Sequence, residues 1–123
     1  LRTIWTDPYK LRQVLINLIT NAVHATGPGG KITATLEPVG DRVALTIKDT
    51  GRGIPREHLK KIFEPFFSTK PPGEGTGLGL FVTRNIIEKL GGEMDVESQL
   101  GQGTRFCIRL PKCADAEGTL NKQ

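Results

Sequence analysis

Three places in this 123-residue chain carry polar residues that folding alone does not require. In the first helical stretch Gln13, Asn17 and Asn21 recur every four residues and His24 follows three later, so they share one stripe of a helix. Asparagine is a mediocre helix former because its side chain competes for backbone hydrogen bonds, so two on one face ask for a reason. An exposed polar edge is one. The other is chemical: neutral amide oxygens can meet a Mg2+ that a polyphosphate already half-neutralises, because Mg2+ takes few protein ligands and keeps phosphates and waters.

The second place is DTGRGIP, residues 49–55, directly after a strand-like run. Asp, Thr, Gly and Pro spell a turn with no function attached. Yet Asp49 ends a buried-looking strand, where an unpaired carboxylate is costly, so it should have a partner. An adenine amino group is one candidate, with Gly51 and Gly53 letting the backbone approach the base. Such a site would reject guanine, whose carbonyl would leave the carboxylate unpaired. The third place is GEGTGLGL, residues 73–80, which alternates glycine and runs into LFVTRNIIEKLGG. It reads either as a flexible linker or as a loop whose bare N–H groups close on an anion at a helix N-terminus. It matches neither G-x-G-x-x-G nor the P-loop pattern.

The elements that would position these residues follow from periodicity. Asp7 can cap a helix with Pro8 at its first position, and Leu11, Leu15, Leu18, Ala22 and Ala25 recur at helical spacing up to Gly27-Pro28. KITATLE alternates Ile32, Ala34 and Leu36 on one face, RVALTIKD alternates Val43, Leu45 and Ile47, and with VGD between them they read as a hairpin. PREHLKKIF starts a short helix, on which His58 reads as a surface position, and 64–75 an irregular loop of the kind that forms lids. The spacing predicts a helix over 77–90 with Leu78, Val82 and Ile86 inward and Gly91-Gly92 as its stop. EMDVES and TRFCIRL are strands about the turn LGQG, and Phe106, Ile108 and Leu110 face inward. The fold class is therefore α+β: a two-layer sandwich, one mixed and mostly antiparallel sheet covered on one face by about three helices. Residues 1–111 form the domain, and 112–123 read as a polar tail or linker.

Size and composition suit a single globular domain, 37% apolar and 24% charged. A net charge of +4 is scattered and not interleaved with stacking aromatics, which argues against nucleic acid. No run approaches the length that spans a bilayer, no leader is evident, and two lone thiols fit a reducing cytoplasm. The chain lacks an initiator Met and reads as a fragment.

Taken in order, DPYKLRQVLINLITNAVHAT, DTGRGIP, IFEPFFSTK, GEGTGLGL and GQGTRF resemble the N box, first glycine box, F box, second glycine box and final glycine turn of the catalytic, ATP-binding domain of two-component sensor histidine kinases. That family belongs to the superfamily shared with type II topoisomerases, ninety-kilodalton heat-shock chaperones and mismatch-repair proteins. The likeness covers residues 7 to about 111, and the short STKPPGEG lid resembles the nitrogen-regulator and oxygen-sensor branch. The resemblance implies the ATP-binding fold of that superfamily, with ATP and Mg2+ as ligands and ADP as product. It implies Asn21 as a Mg2+ ligand, with Asn17 one turn earlier facing metal or phosphates. Asp49 would take the adenine N6 hydrogen bond, Gly51, Gly53 and Ile54 would line the base pocket, and Thr104 would support the base edge through water. Gly75, Thr76, Gly77, Leu78 and Gly79 would cradle the phosphates, with Lys70 reaching the γ-phosphate from a lid over 66–74. His24 stands near the nucleotide where many members carry Lys, and its role stays open.

The resemblance further implies transfer of the γ-phosphoryl group to a histidine on a separate dimerisation domain, a response-regulator receiver as the next partner, and a homodimeric full-length protein with this domain in the cytoplasm, its anchoring in a membrane left open. Neither His24 nor His58 stands in a phosphoacceptor context, so this chain should bind ATP without autophosphorylating. ATPase relatives carry a glutamate where Asn17 stands, and an amide cannot serve as a base, so hydrolysis should be slow. A serine kinase of the same superfamily and a non-catalytic nucleotide sensor are the alternatives.

Overall fold

In a computed structural model, residues 7–67 and 79–111 are described. Helix α1 (Pro8–Ala25) begins as its sequence dictates: the Asp7 carboxylate accepts from the N–H groups of Tyr9 and Lys10, and Pro8 takes the first helical position. The chain then forms the hairpin β1 (Ile32–Val39) and β2 (Arg42–Asp49) and the single-turn helix α2 (Arg56–Leu59), with Pro55 as its cap. After α3 (Gly79–Lys89) come β3 (Glu93–Gln99) and β4 (Gly103–Pro111). α3 stops in a Schellman motif: Gly91, at φ 82°, donates to the Glu88 carbonyl, and Gly92 donates to that of Ile87.

The four strands lie in the order β1-β2-β4-β3, every neighbour antiparallel. α1 packs across β2 and β4 and against α3, and α3 covers β3. Val14, Leu18 and Ala22 of α1, Ile87 of α3, Ile62, Ile47 and the inward residues Phe106, Ile108 and Leu110 of β4 make one core. The opposite sheet face is polar: Arg105 pairs with Glu97, and Arg109 bridges Glu93 and Asp95.

Three expectations change. β1 is exposed along its whole length, Ile32, Ala34 and Leu36 included, because the helices cover the central strands and β1 lies at the edge beyond them. On α3 the fully buried positions are Thr83 and Ile87, whereas Val82 is exposed. The inward face is turned by one residue because a polar Thr, which apolar patterning passes over, occupies the innermost place. The short helix after Pro55 closes within one turn and continues as turns through 66. Leu78 and the tail 112–123 lie outside the described residues.

Candidate functional site

Asp49 is the last residue of β2 and is 4% exposed. Its Oδ1 accepts from the backbone N–H of Gly51 at 2.8 Å and, across the sheet, of Thr104 at 3.3 Å. A buried carboxylate needs such donors, and among the described residues they are backbone N–H groups and no cation. Both bonds fall on one oxygen, and among the described residues no donor meets Oδ2.

Beside it lies a closed hydroxyl network. Ser98 Oγ accepts from the Ile54 N–H at 2.8 Å, lies 2.8 Å from Thr104 Oγ1, and donates to the Gly103 carbonyl at 2.9 Å. A hydroxyl has one proton. With Ser98 donating to Gly103, the Thr104 proton must point at Ser98, which leaves Thr104 Oγ1 an acceptor toward its surroundings. Asp49 and Ile54 of one short segment thus meet Ser98 and Thr104, some fifty residues on in the chain, at one end of the sheet.

The glycines of DTGRG have a local explanation. A Cβ at Gly51 would meet the Ala25 carbonyl, and one at Gly53, whose φ is 76°, would meet that of Gln99. Arg52 between them donates its backbone N–H to Ala25, accepts from Gly101, and donates Nη1 to the His24 carbonyl at 3.2 Å. The segment is wedged between the C-terminus of α1 and the β3–β4 turn.

On α1, Asn17 is half-buried and faces α3. Its Nδ2 donates to Thr83 Oγ1 at 3.0 Å and to the Gly79 carbonyl at 3.3 Å, while its Oδ1 accepts from Gln13 Nε2 at 3.1 Å. Asn21, one turn on, is half-buried, and among the described residues no hydrogen bond engages its side chain. His24 is exposed. At Gly79, among the described residues, nothing lies within 4 Å of where a Cβ would stand. Lys70, Gly75, Thr76, Gly77 and Leu78 lie outside the described residues.

Ser98, Thr83 and Arg52 escape sequence reasoning. A Ser in an alternating strand and a Thr inside a helix carry no spacing signal, and Arg52 looks like a turn residue. His58 is only half-exposed: its Nδ1 is buried with no partner among the described residues, and its ring stands edge-on to Phe67 at 5.3 Å.

The arrangement offers a carboxylate acceptor and a hydroxyl acceptor for the edge of a base. It also offers an amide on α1 near the N-terminus of α3, whose first N–H groups have no intrahelical partner. These are the parts a nucleotide polyphosphate with a divalent cation requires.

The family described as histidine kinase-, DNA gyrase B-, and HSP90-like ATPase matches residues 6–114. The sensor histidine kinase ZraS of Klebsiella oxytoca is 50% identical over 109 residues, which are 88% of this chain and 23% of that protein. The chain thus spans about a quarter of that relative's length. Among solved structures, the catalytic domain of histidine kinase ThkA superposes with a TM-score of 0.80 at 42% identity, covering 91% of this chain and 72% of that one. Full-length ShkA in complex with AMPPNP gives 0.80 at 36% identity, covering 90% of this chain and 23% of that one.

Proposed function

The chain belongs to the histidine kinase-, DNA gyrase B- and HSP90-like ATPases, in the form of a histidine kinase catalytic domain, and we propose that it binds Mg-ATP and presents the γ-phosphoryl group to a histidine on a separate dimerisation domain. The observation that carries this is Asp49: a buried carboxylate with one oxygen held by backbone donors and the other without a protein donor. The adenine amino group is the donor of the right chemistry, and Thr104 Oγ1, its own proton committed, accepts from a water at the base edge. Support for the nucleotide also comes from ShkA, solved with AMPPNP.

Asn21 fits a Mg2+ that keeps phosphate and water ligands, being a neutral oxygen donor with no competing bond among the described residues. When bound, Mg2+ neutralises charge between the phosphates. Asn17 borders the same groups without acting as a base, since both ends of its amide are engaged in the protein. Gly75, Thr76, Gly77, Leu78 and Gly79 offer backbone N–H groups to the phosphates, and Lys70 neutralises the transferring group; phosphoryl transfer asks for little beyond such positioning and charge. The acceptor histidine, a response-regulator receiver domain and homodimer formation belong to the longer protein, working at the cytoplasmic side.

The reading is tested by incubating this chain with γ-labelled ATP, alone and with the dimerisation domain of the same protein. Label should appear only on the added domain. Label on this chain, or on neither, would overturn the assignment.

A further inference from the structure

Thr83 is fully buried in an apolar core, where a Val of the same shape would fit without any polar group to satisfy. Its hydroxyl is nonetheless fully used: Oγ1 donates to the Gly79 carbonyl at 2.7 Å and accepts from Asn17 Nδ2 at 3.0 Å. The second Nδ2 proton goes to the same Gly79 carbonyl at 3.3 Å, and Gln13 holds the amide by its oxygen at 3.1 Å. Both donors of one amide are therefore spent on the start of α3, one at Gly79 and one at Thr83 a turn further on, from a residue one turn before Asn21 on α1. Gly79 has no side chain to hold that turn, and among the described residues nothing fills the space beside it. The only side-chain hydrogen bonds reaching the start of α3, among the described residues, come from Asn17 and Thr83.

We propose that Asn17 and Thr83 form a polar bolt that fixes the start of α3 against α1, and that Thr83 is thereby a positioning residue for the phosphates of the bound nucleotide. The inference rests on the ATP reading above. The N–H groups at the head of α3 have no intrahelical partner, so their direction is set by where the first turn sits. The bolt sets that turn at a fixed distance from Asn21, so amide oxygen and backbone N–H groups face one ligand together. The base pocket at Asp49, Ser98 and Thr104 shares no hydrogen bond with the bolt. Loosening the bolt should therefore weaken recognition of phosphates and leave recognition of the base intact.

The experiment compares Thr83→Val, which keeps shape and loses the hydroxyl, with Thr83→Ser, which keeps the hydroxyl. Affinities for Mg-AMPPNP are measured by calorimetry and for adenosine by NMR titration, and amide hydrogen exchange of 80–83 is followed without nucleotide. Thr83→Val, which loses both hydrogen bonds of the hydroxyl, should bind Mg-AMPPNP at least about tenfold more weakly and adenosine as the parent chain does. Its amides at 80–83 should exchange faster, and Thr83→Ser should restore both properties. Equal loss for both ligands would make Thr83 a packing residue only, and no loss for either would also overturn the bolt. If the parent chain bound no adenine nucleotide, the ATP reading would fall. The exchange data would then still decide: unchanged protection in Thr83→Val refutes the bolt itself.

Discussion

At the scale of single residues, the decisive atoms are the two oxygens of Asp49. An amide oxygen at this position can still accept from Gly51 and Thr104, so Asp49→Asn should fold with little change in stability. Its Nδ2, however, would face the adenine amino group with a donor. A buried hydrogen bond to a charged group contributes about 1.5–3 kcal/mol, so ADP affinity should fall about tenfold to a hundredfold. Calorimetry with Mg-ADP reads this, and undiminished affinity would refute the adenine contact. The glycines separate by a different measurement. Gly53→Ala places a Cβ against the Gln99 carbonyl at a φ of 76°, whereas Gly40→Ala meets nothing within 4 Å at a φ of 63°. Both pay left-handed strain of about 1 kcal/mol, but only Gly53→Ala adds a backbone collision, so it should lower Tm clearly more. That Asp49 would be buried and partnered was legible from its place at the end of an alternating strand. That Gly51 and Gly53 make room for neighbouring backbone was not, because the approach of Ala25 and Gln99 is a tertiary fact.

At the scale of elements, the two long helices show what pattern reading captures. α1 was legible because a cap, a proline and an apolar period agree, and its start rests on Asp7. Asp7→Ala should therefore cost about 1 kcal/mol, a fall in Tm of about 4 °C for a domain of this size. A thermal scan showing no shift would mean that the two backbone N–H groups find water equally well. α3 was legible in its stop and not in its face. Its apolar residues suggest Val82 and Ile86 as the inner stripe, while the structure buries Thr83 and Ile87. Periodicity counts apolar side chains and cannot weigh a threonine whose hydroxyl is satisfied by an asparagine 66 residues away. β1 fails for the complementary reason. Its alternation is real, yet burial depends on which strands the helices reach, and that is set by the strand order rather than by the strand.

For the molecule as a whole, the charged sheet face and the nucleotide end answer to different variables. Arg109 donates to Asp95 at 2.7 Å, and that hydrogen bond chiefly holds its guanidinium above the ordinary arginine value, against desolvation. A cation with a raised folded value contributes stability that is present below its unfolded value and lost only as pH rises through the folded one. That window lies above the range in which the domain would be used, so Arg109→Ala should lower stability by less than about 1 kcal/mol, equally at pH of about 6 and about 9. The nucleotide end should behave otherwise. Asp49 closes β2, Arg52 holds the end of α1, and Ser98 and Thr104 tie β3 to β4, so the proposed base site is built from residues that several elements must bring together. Those contacts exist only when the layers are assembled, and the unfolded chain offers none of them. Binding to the native state alone stabilises by mass action, about 2.7 kcal/mol at a ligand concentration of one hundred times Kd. For a domain of this size that is a rise in Tm of about 10 °C with Mg-ADP. At the same concentration Asp49→Asn should keep about half of it or less, down to about a seventh for a hundredfold loss of affinity, and Thr83→Val about half. Mg-GDP should leave the parent chain and Thr83→Val unmoved, because guanine brings a carbonyl to the Asp49 carboxylate; an equal rise with Mg-GDP would mean that the phosphates alone do the binding.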